Sequence, residues 1–131
     1  MRSCSMVHEV TVEDLDELEH VNNIRYLHWV QEISKKHWQL LADRQTQREV
    51  VWVVRNHDIS YLQAAFLGDT LELTTFVEDV KGPLSIRVVE FKNRETRKLL
   101  VRARTQWCLL DAATLKPKRI PESISVLFQL K

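Results

Sequence analysis

The residues best equipped for chemistry stand together early in the chain. The acidic run Glu13-Asp14-Leu15-Asp16-Glu17-Leu18-Glu19 leads into His20, and the pair Asn22-Asn23 follows. A carboxylate can draw a proton from water or attack an electrophilic carbon directly. Asn is a favoured helix N-cap, because its side-chain oxygen accepts an orphan N–H of the first turn. The N–H groups left free there, with the positive end of the helix dipole, can hold charge developing on a carbonyl oxygen. Asp16 lies seven residues before Asn23, room enough for the acidic loop to fold back over the helix start. Residue types alone leave a second reading open, in which Asp14 and Asp16 are solvated loop acids or capping anions.

The other candidates are weaker. His28 and Glu32 have the i, i+4 spacing of metal ligands, but they fall on a charged face with Lys35 and Lys36, and no third ligand stands near. No metal is expected. Cys4 and Cys108 are too few for a disulfide framework and form no CxxC pair, so a reduced, cytoplasmic chain is the expectation. Cys108 reads as packing in an apolar run, and Cys4 as part of a loose terminus. Gly68 and Gly82 are the only glycines. That excludes the Gly-rich loops that bring backbone N–H groups close to phosphates. Nineteen Lys and Arg against 18 Asp and Glu give a net charge of +1, with no overall field favouring nucleic acid or anionic membrane. No run approaches the roughly 18 apolar residues of a membrane-spanning helix, and the first residues carry no apolar signal core, so the chain reads as soluble and unexported.

Several elements must position these residues. Met6, His8, Val10 and Val12 share a face at period two, a weak strand signal. From Ile24 to Asp43, Tyr26, Leu27, Trp29, Val30, Ile33, His37, Trp38, Leu40 and Leu41 fall on one half of a helical wheel. That predicts a helix of about 20 residues with a wide buried face. Ser34 inside the arc suggests a close approach, and His37 reads as a packed core histidine. Beyond Gln45–Glu49 the period becomes that of strands. Val50–Leu62 is long enough to carry a bulge, and Asp69–Val80 places Leu71, Leu73, Thr75 and Val77 on one face. Lys81-Gly82-Pro83 is a turn. Leu84–Phe91 and Leu99–Leu110 follow, joined by a polar loop, and Glu122–Leu130 reads as a short helix. With no repeat or linker, residues 1–131 form a single domain. The order of elements predicts an α+β fold with an antiparallel sheet packed against one long helix.

Asp14-Leu15-Asp16-Glu17-Leu18-Glu19-His20-Val21-Asn22-Asn23-Ile24-Arg25-Tyr26 closely resembles the signature of the hotdog-fold acyl-thioester hydrolases of the 4-hydroxybenzoyl-CoA thioesterase type. Ile59-Ser60-Tyr61 and Phe66-Leu67-Gly68-Asp69 resemble that family's YxxPaxxGDxl strand and turn, and the likeness spans about residues 5 to 125. Two positions depart from it: Glu19 stands where the family usually has Gly, and Ala64 where it usually has Pro.

The resemblance implies a hotdog fold, a sheet wrapped around one long central helix, with sites at the interface of a homodimer or homotetramer. It implies hydrolysis of an acyl-CoA or acyl-carrier-protein thioester, without a cofactor. Asp16 would be the catalytic carboxylate, either as general base or as nucleophile, and the N–H of Asn23 would polarise the carbonyl. His20, Asn22 and Tyr26 would border the substrate, and Asp14 would brace the loop. Arg87, Lys92, Arg94, Arg102 and Arg104 are candidates for the phosphates of coenzyme A, although alternating Arg on a sheet face more often marks solvated surface. Two alternatives to hydrolysis stand beside it: a catalytically silent acyl-thioester-binding or assembly module, and a hotdog dehydratase or hydratase, which would want a His paired with an acid.

Overall fold

The computed structural model describes residues 1–130. Strand β1 (Ser3–Glu9) leads through a single 3-10 turn (Val12–Asp14) and a loop into helix α1 (Asn23–Leu41). The short helix α2 (Arg44–Glu49) precedes β2 (Val50–Tyr61), β3 (Thr70–Lys81), β4 (Leu84–Asn93) and β5 (Leu99–Asp111). A short helix α3 (Glu122–Ser125) and a 3-10 turn (Val126–Phe128) close the described chain. The strands form one antiparallel sheet in the order β1-β3-β4-β5-β2. The α+β expectation holds.

Helix α1 starts where Asn22 caps it, its side-chain oxygen accepting the N–H of Ile24 at 3.0 Å. Tyr26, Trp29, Val30, Ile33, Ser34 and His37 are buried along one stripe. Ser34 fits against the sheet because its hydroxyl turns back to the Val30 carbonyl, 2.6 Å away. On the sheet side Leu71, Leu73, Thr75 and Val77 point inward together, as their alternation predicts. The core has two parts: one around Tyr26, Val30, Ile33, Leu73 and Phe91, the other around Val50, Leu109, Ile124 and Phe128. β2 carries the expected irregularity, between Val54 and Asn56. Gly82 supplies the positive φ of +58° that the β3–β4 hairpin turn needs.

Several expectations are corrected. β1 ends at Glu9, so Val12 does not continue its alternation; it sits in the 3-10 turn, 70% exposed. Cys4 lies in β1 opposite Thr75 rather than in a loose terminus. Helix α1 stops at Leu41, and Asp43 caps α2 instead, accepting the N–H of Thr46 at 2.7 Å. Leu40 falls within the apolar arc yet is 68% exposed. The elements beside the last turn, β2 and the C-terminal tail, reach Trp38 and Leu41 on one flank and leave the other uncovered. Arg87, grouped with solvated arginines, is buried on the helix-facing side of β4.

Candidate active site

Two aspartates two residues apart are put to opposite uses. Asp14 is the last residue of the 3-10 turn and is buried. Its Oδ2 accepts the N–H of Thr11 at 3.0 Å and meets His8 Nε2 at 2.8 Å, while Oδ1 accepts from Arg25 Nε at 2.9 Å. Burial alone would raise the pKa of this carboxyl, but the hydrogen bonds of His8 and Thr11 and the charges of His8 and Arg25 hold it below the usual 3.8. Its carbonyl accepts the N–H of Asn22 at 2.8 Å, which ties the loop to the helix start. Both carboxylate oxygens of Asp14 are thus engaged, and the group works as a brace.

Asp16 is exposed. Its Oδ1 accepts the N–H groups of Leu18, at 2.9 Å, and His20, at 3.1 Å. Oδ2 has no partner among the described residues. The turn around it is closed by the Asp16 N–H to the His20 carbonyl, 2.7 Å, and the Glu19 N–H to the Asp16 carbonyl, 3.0 Å. Glu19 sits at φ +62°, in the left-handed region where Gly is free of strain. The loop therefore adopts the conformation for which the related signature uses Gly, with Glu bearing the strain. An antiparallel bridge pairs His20 with Phe66, their rings edge to face at 5.2 Å, and the Val21 N–H donates to the Ala65 carbonyl at 3.0 Å. The loop is fixed against the segment that follows β2.

That pairing creates a cleft of about 340 Å³ at the start of α1, bounded by Asp16, His20, Val21, Asn23 and Tyr26 on one side and by Tyr61, Leu62, Gln63 and Ala64 on the other. At the helix start the N–H of Ile24 is taken by the Asn22 side chain and that of Arg25 by the Asn22 carbonyl, at 2.9 Å. The N–H of Asn23 has no acceptor among the described residues. Tyr26 is buried, and its hydroxyl has no partner among them either. Burial, then the neighbouring Tyr61 and Asp69, push this phenol up to about 12, so it stays protonated at neutral pH and can donate a hydrogen bond.

Asp16, His20, Asn23 and Tyr26 are thus brought together in one cleft. Asn22 is not; its side chain is spent on the cap and it borders a separate depression with Leu15, Asp16, Glu17 and Leu18. The opposite wall, Tyr61 to Ala64, was not among the predicted site residues, although its signal was present in the YxxP-like match. Among the described residues, no group of three His, Cys, Asp or Glu side chains could hold a metal ion. An acid with one uncommitted oxygen beside a free helix-terminal N–H can bind a carbonyl oxygen and deliver an attacking oxygen to its carbon.

Comparison with known proteins converges on one family. A family model described as the thioesterase-like superfamily matches residues 10–128. Acyl-CoA thioesterase YbgC of Haemophilus influenzae is 28% identical over 125 residues, covering 91% of this chain and 89% of that protein. The fold superposes on YbaW, a probable thioesterase from Escherichia coli, with a TM-score of 0.85 at 23% identity, covering 94% of both chains. It also superposes on a variant of 4-hydroxybenzoyl-CoA thioesterase complexed with 4-hydroxybenzoyl-CoA, with a TM-score of 0.86 at 18% identity, covering 98% of this chain and 99% of that one.

Proposed function

The chain belongs to the thioesterase-like superfamily, and from that premise we propose that the cleft at the start of α1 is the active site of an acyl-CoA thioesterase in which Asp16 and Asn23 carry the reaction. It is a hotdog-fold thioester hydrolase that releases a free carboxylic acid and a thiol. The single observation that supports the site is the pairing of an Asp16 Oδ2 without a protein partner with an Asn23 N–H without an acceptor, across one cleft.

The thioester carbonyl lies with its oxygen on the Asn23 N–H. There the dipole of a 19-residue helix stabilises the oxyanion that forms as the carbonyl carbon becomes tetrahedral. Asp16 either takes a proton from water as that water attacks the carbon, the thiolate leaving and then receiving the proton, or attacks the carbon itself, expelling the thiolate to give a mixed anhydride that water then hydrolyses to the free acid and the restored carboxylate. Tyr26 presents a hydroxyl donor to the bound acyl group, and His20 holds the Asp16 carboxylate in position through its own N–H. Asn22 serves by capping the helix. Acyl-CoA is the substrate class in this reading, because the YbgC relative is an acyl-CoA thioesterase; an acyl carrier protein is the second carrier to test. Residues 1–131 act as a single domain in the cytoplasm, and no helix among the described residues is long and apolar enough to cross a membrane.

Asp16→Asn tests the site. Its carbonyl oxygen can replace Oδ1 as acceptor for Leu18 and His20, so the loop should keep its shape. Single-turnover hydrolysis of short, long and aromatic acyl-CoAs should fall by about 10² to 10⁴ for a general base, and further for a nucleophile, with acyl-CoA affinity nearly unchanged. A variant within about threefold of the parent rate would remove Asp16 from the mechanism.

The working unit in this proposal is a homodimer or a homotetramer built from dimers. The cleft is partly open to solvent, and edge strand β2 leaves Val51 and the cleft-lining Tyr61 exposed, so a second copy would complete the walls. Light scattering at micromolar concentration, with activity followed on dilution, checks it; a fully active monomer is the refuting result.

A further inference from the structure

A second cavity, of about 300 Å³, lies between the C-terminal half of α1 and the sheet, and it shares no lining residue with the cleft at the helix start. Ser34 and Tyr26, one from each site, are eight residues apart on α1, about 12 Å along its axis.

Arg87 forms part of its wall and is 5% exposed. No carboxylate pairs with it among the described residues. Its Nη1 meets Nδ1 of His37 at 2.9 Å and Oγ1 of Thr75 at 3.1 Å. The hydroxyl of Thr75 donates onward to the Val88 carbonyl, at 2.8 Å. Both contacts use Nη1, so the Nε and Nη2 donors, the side-on fork of the guanidinium, have no protein acceptor among the described residues. His37 cannot neutralise the charge; burial first, then the charges of Arg87 and Arg2, push it down to about 4, so it is uncharged at neutral pH. Burial lowers Arg87 only to about 10, and it remains a cation. A buried cation without a counter-ion is costly, and the cost falls when an anion with matching geometry binds.

The side chains lining the cavity add donors and no carboxylate; among the described residues, the one acidic group that acts on Arg87 is the thiol of Cys4, opposite Thr75 in strand β1. Ser85 stands on the same face of β4 and pairs with Trp107 across the β4–β5 ladder. Its hydroxyl has no partner among the described residues. The indole N–H of Trp107 is buried without an acceptor among them. Trp38, Trp52 and Phe128 supply apolar walls, and the exposed Lys35 adds a second positive charge. The cavity, open to solvent on one side, therefore offers a planar cationic fork and two further N–H and O–H donors beside aromatic walls.

We propose that this cavity is a binding site for the carboxylate of a small apolar monocarboxylic acid, held side-on by Arg87 and assisted by Ser85 and Trp107, with its hydrocarbon part against Trp38, Trp52 and Phe128. Two parallel N–H···O bonds from a guanidinium fit a carboxylate. Inorganic phosphate has no hydrocarbon for the aromatic walls to cover. The acid is of the chemical class that thioester hydrolysis releases, but the site stands on its own residues and does not depend on turnover.

The test titrates the purified protein with hexanoate, following tryptophan fluorescence and calorimetry, beside hexanol and inorganic phosphate. Hexanoate should bind saturably at one site per chain, and hexanol and phosphate at least about tenfold more weakly. Arg87→Gln should weaken hexanoate by about tenfold or more, and Ser85→Ala with Trp107→Phe by several-fold, while Asp16→Asn leaves it unchanged. Should Arg87→Gln not fold, the Ser85→Ala, Trp107→Phe pair decides. Hexanol binding as tightly as hexanoate, phosphate binding as tightly, hexanoate affinity unaltered in the folded cavity variants, or hexanoate binding abolished by Asp16→Asn would each overturn the proposal.

Discussion

Replacing Asp14 by Asn separates the brace from the chemistry. Asn cannot serve all the donors that meet this carboxylate: Thr11 N–H and His8 on one oxygen, Arg25 on the other. Whichever way the amide is turned, its NH₂ faces a donor, and either the Thr11 N–H or the half-buried Arg25 guanidinium loses its acceptor. A hydrogen bond to a charged group contributes about 1.5 to 3 kcal/mol, and the Arg25 contact is discounted because that side chain is 36% exposed. The expected loss is about 2 to 4 kcal/mol, against less than about 0.5 for the exposed Asp16→Asn. Urea midpoints at fixed protein concentration and unchanged m-value measure it. The pH dependence has a definite sign. Asp14 is held below 3.8 in the folded chain, so its stabilisation is complete above the unfolded value and is lost as pH falls through the folded one. The gap between parent and Asp14→Asn should thus be present above the unfolded value of 3.8 and narrow as pH falls below it. Equal midpoints for the parent and Asp14→Asn at neutral pH, or a gap that does not narrow in acid, would refute the reasoning.

The remaining predictions concern the helix and the loop turn. Ile33 is fully buried, so Ile33→Ala should cost about 2 to 5 kcal/mol, whereas Lys36→Ala and Leu40→Ala should each stay near 0.5 or below, at about the level of a surface change. Comparable losses for Ile33→Ala and Leu40→Ala in denaturant would contradict the buried stripe. Glu19→Gly, at φ +62°, should raise the unfolding midpoint by the equivalent of about 1 kcal/mol with activity retained, because the strain of a left-handed non-glycine residue exceeds the entropy that Gly adds to the unfolded chain; a destabilised variant would contradict it.

Much of the site could be read in the sequence because its parts are local. Asn22 announces the cap, the acidic loop precedes it, and a helix start carries free N–H groups wherever the helix lies. The cleft's other wall is not local. Tyr61 to Ala64 meet Asp16 only because His20 bridges to Phe66 and Val21 to Ala65, and no periodicity within either segment specifies that pairing. The short helix α2 was similarly hidden, since Arg44–Glu49 has no buried residue and hence no apolar stripe.

Asp14 and Asp16 show how little composition says about role. They are the same residue two positions apart in one acidic run, and the distinction comes from the 3-10 turn. That turn ends at Asp14 and rotates its carboxylate under Thr11, His8 and Arg25, leaving Asp16 on the open side. Arg87 teaches the converse. Ser85, Arg87, Val89 and Phe91 alternate in phase and all four are buried, so the period of two places Arg87 inward beside two apolar residues. Reading it as solvated gave more weight to the charge than to the phase. A buried side chain of such cost persists in a fold only if something offsets it, and here His37 and Thr75 satisfy one nitrogen of the guanidinium and no carboxylate of the described chain satisfies the rest. The phase of a charged residue within an apolar strand is therefore a sequence-level pointer to a buried charge, whose partner the fold or a ligand must supply.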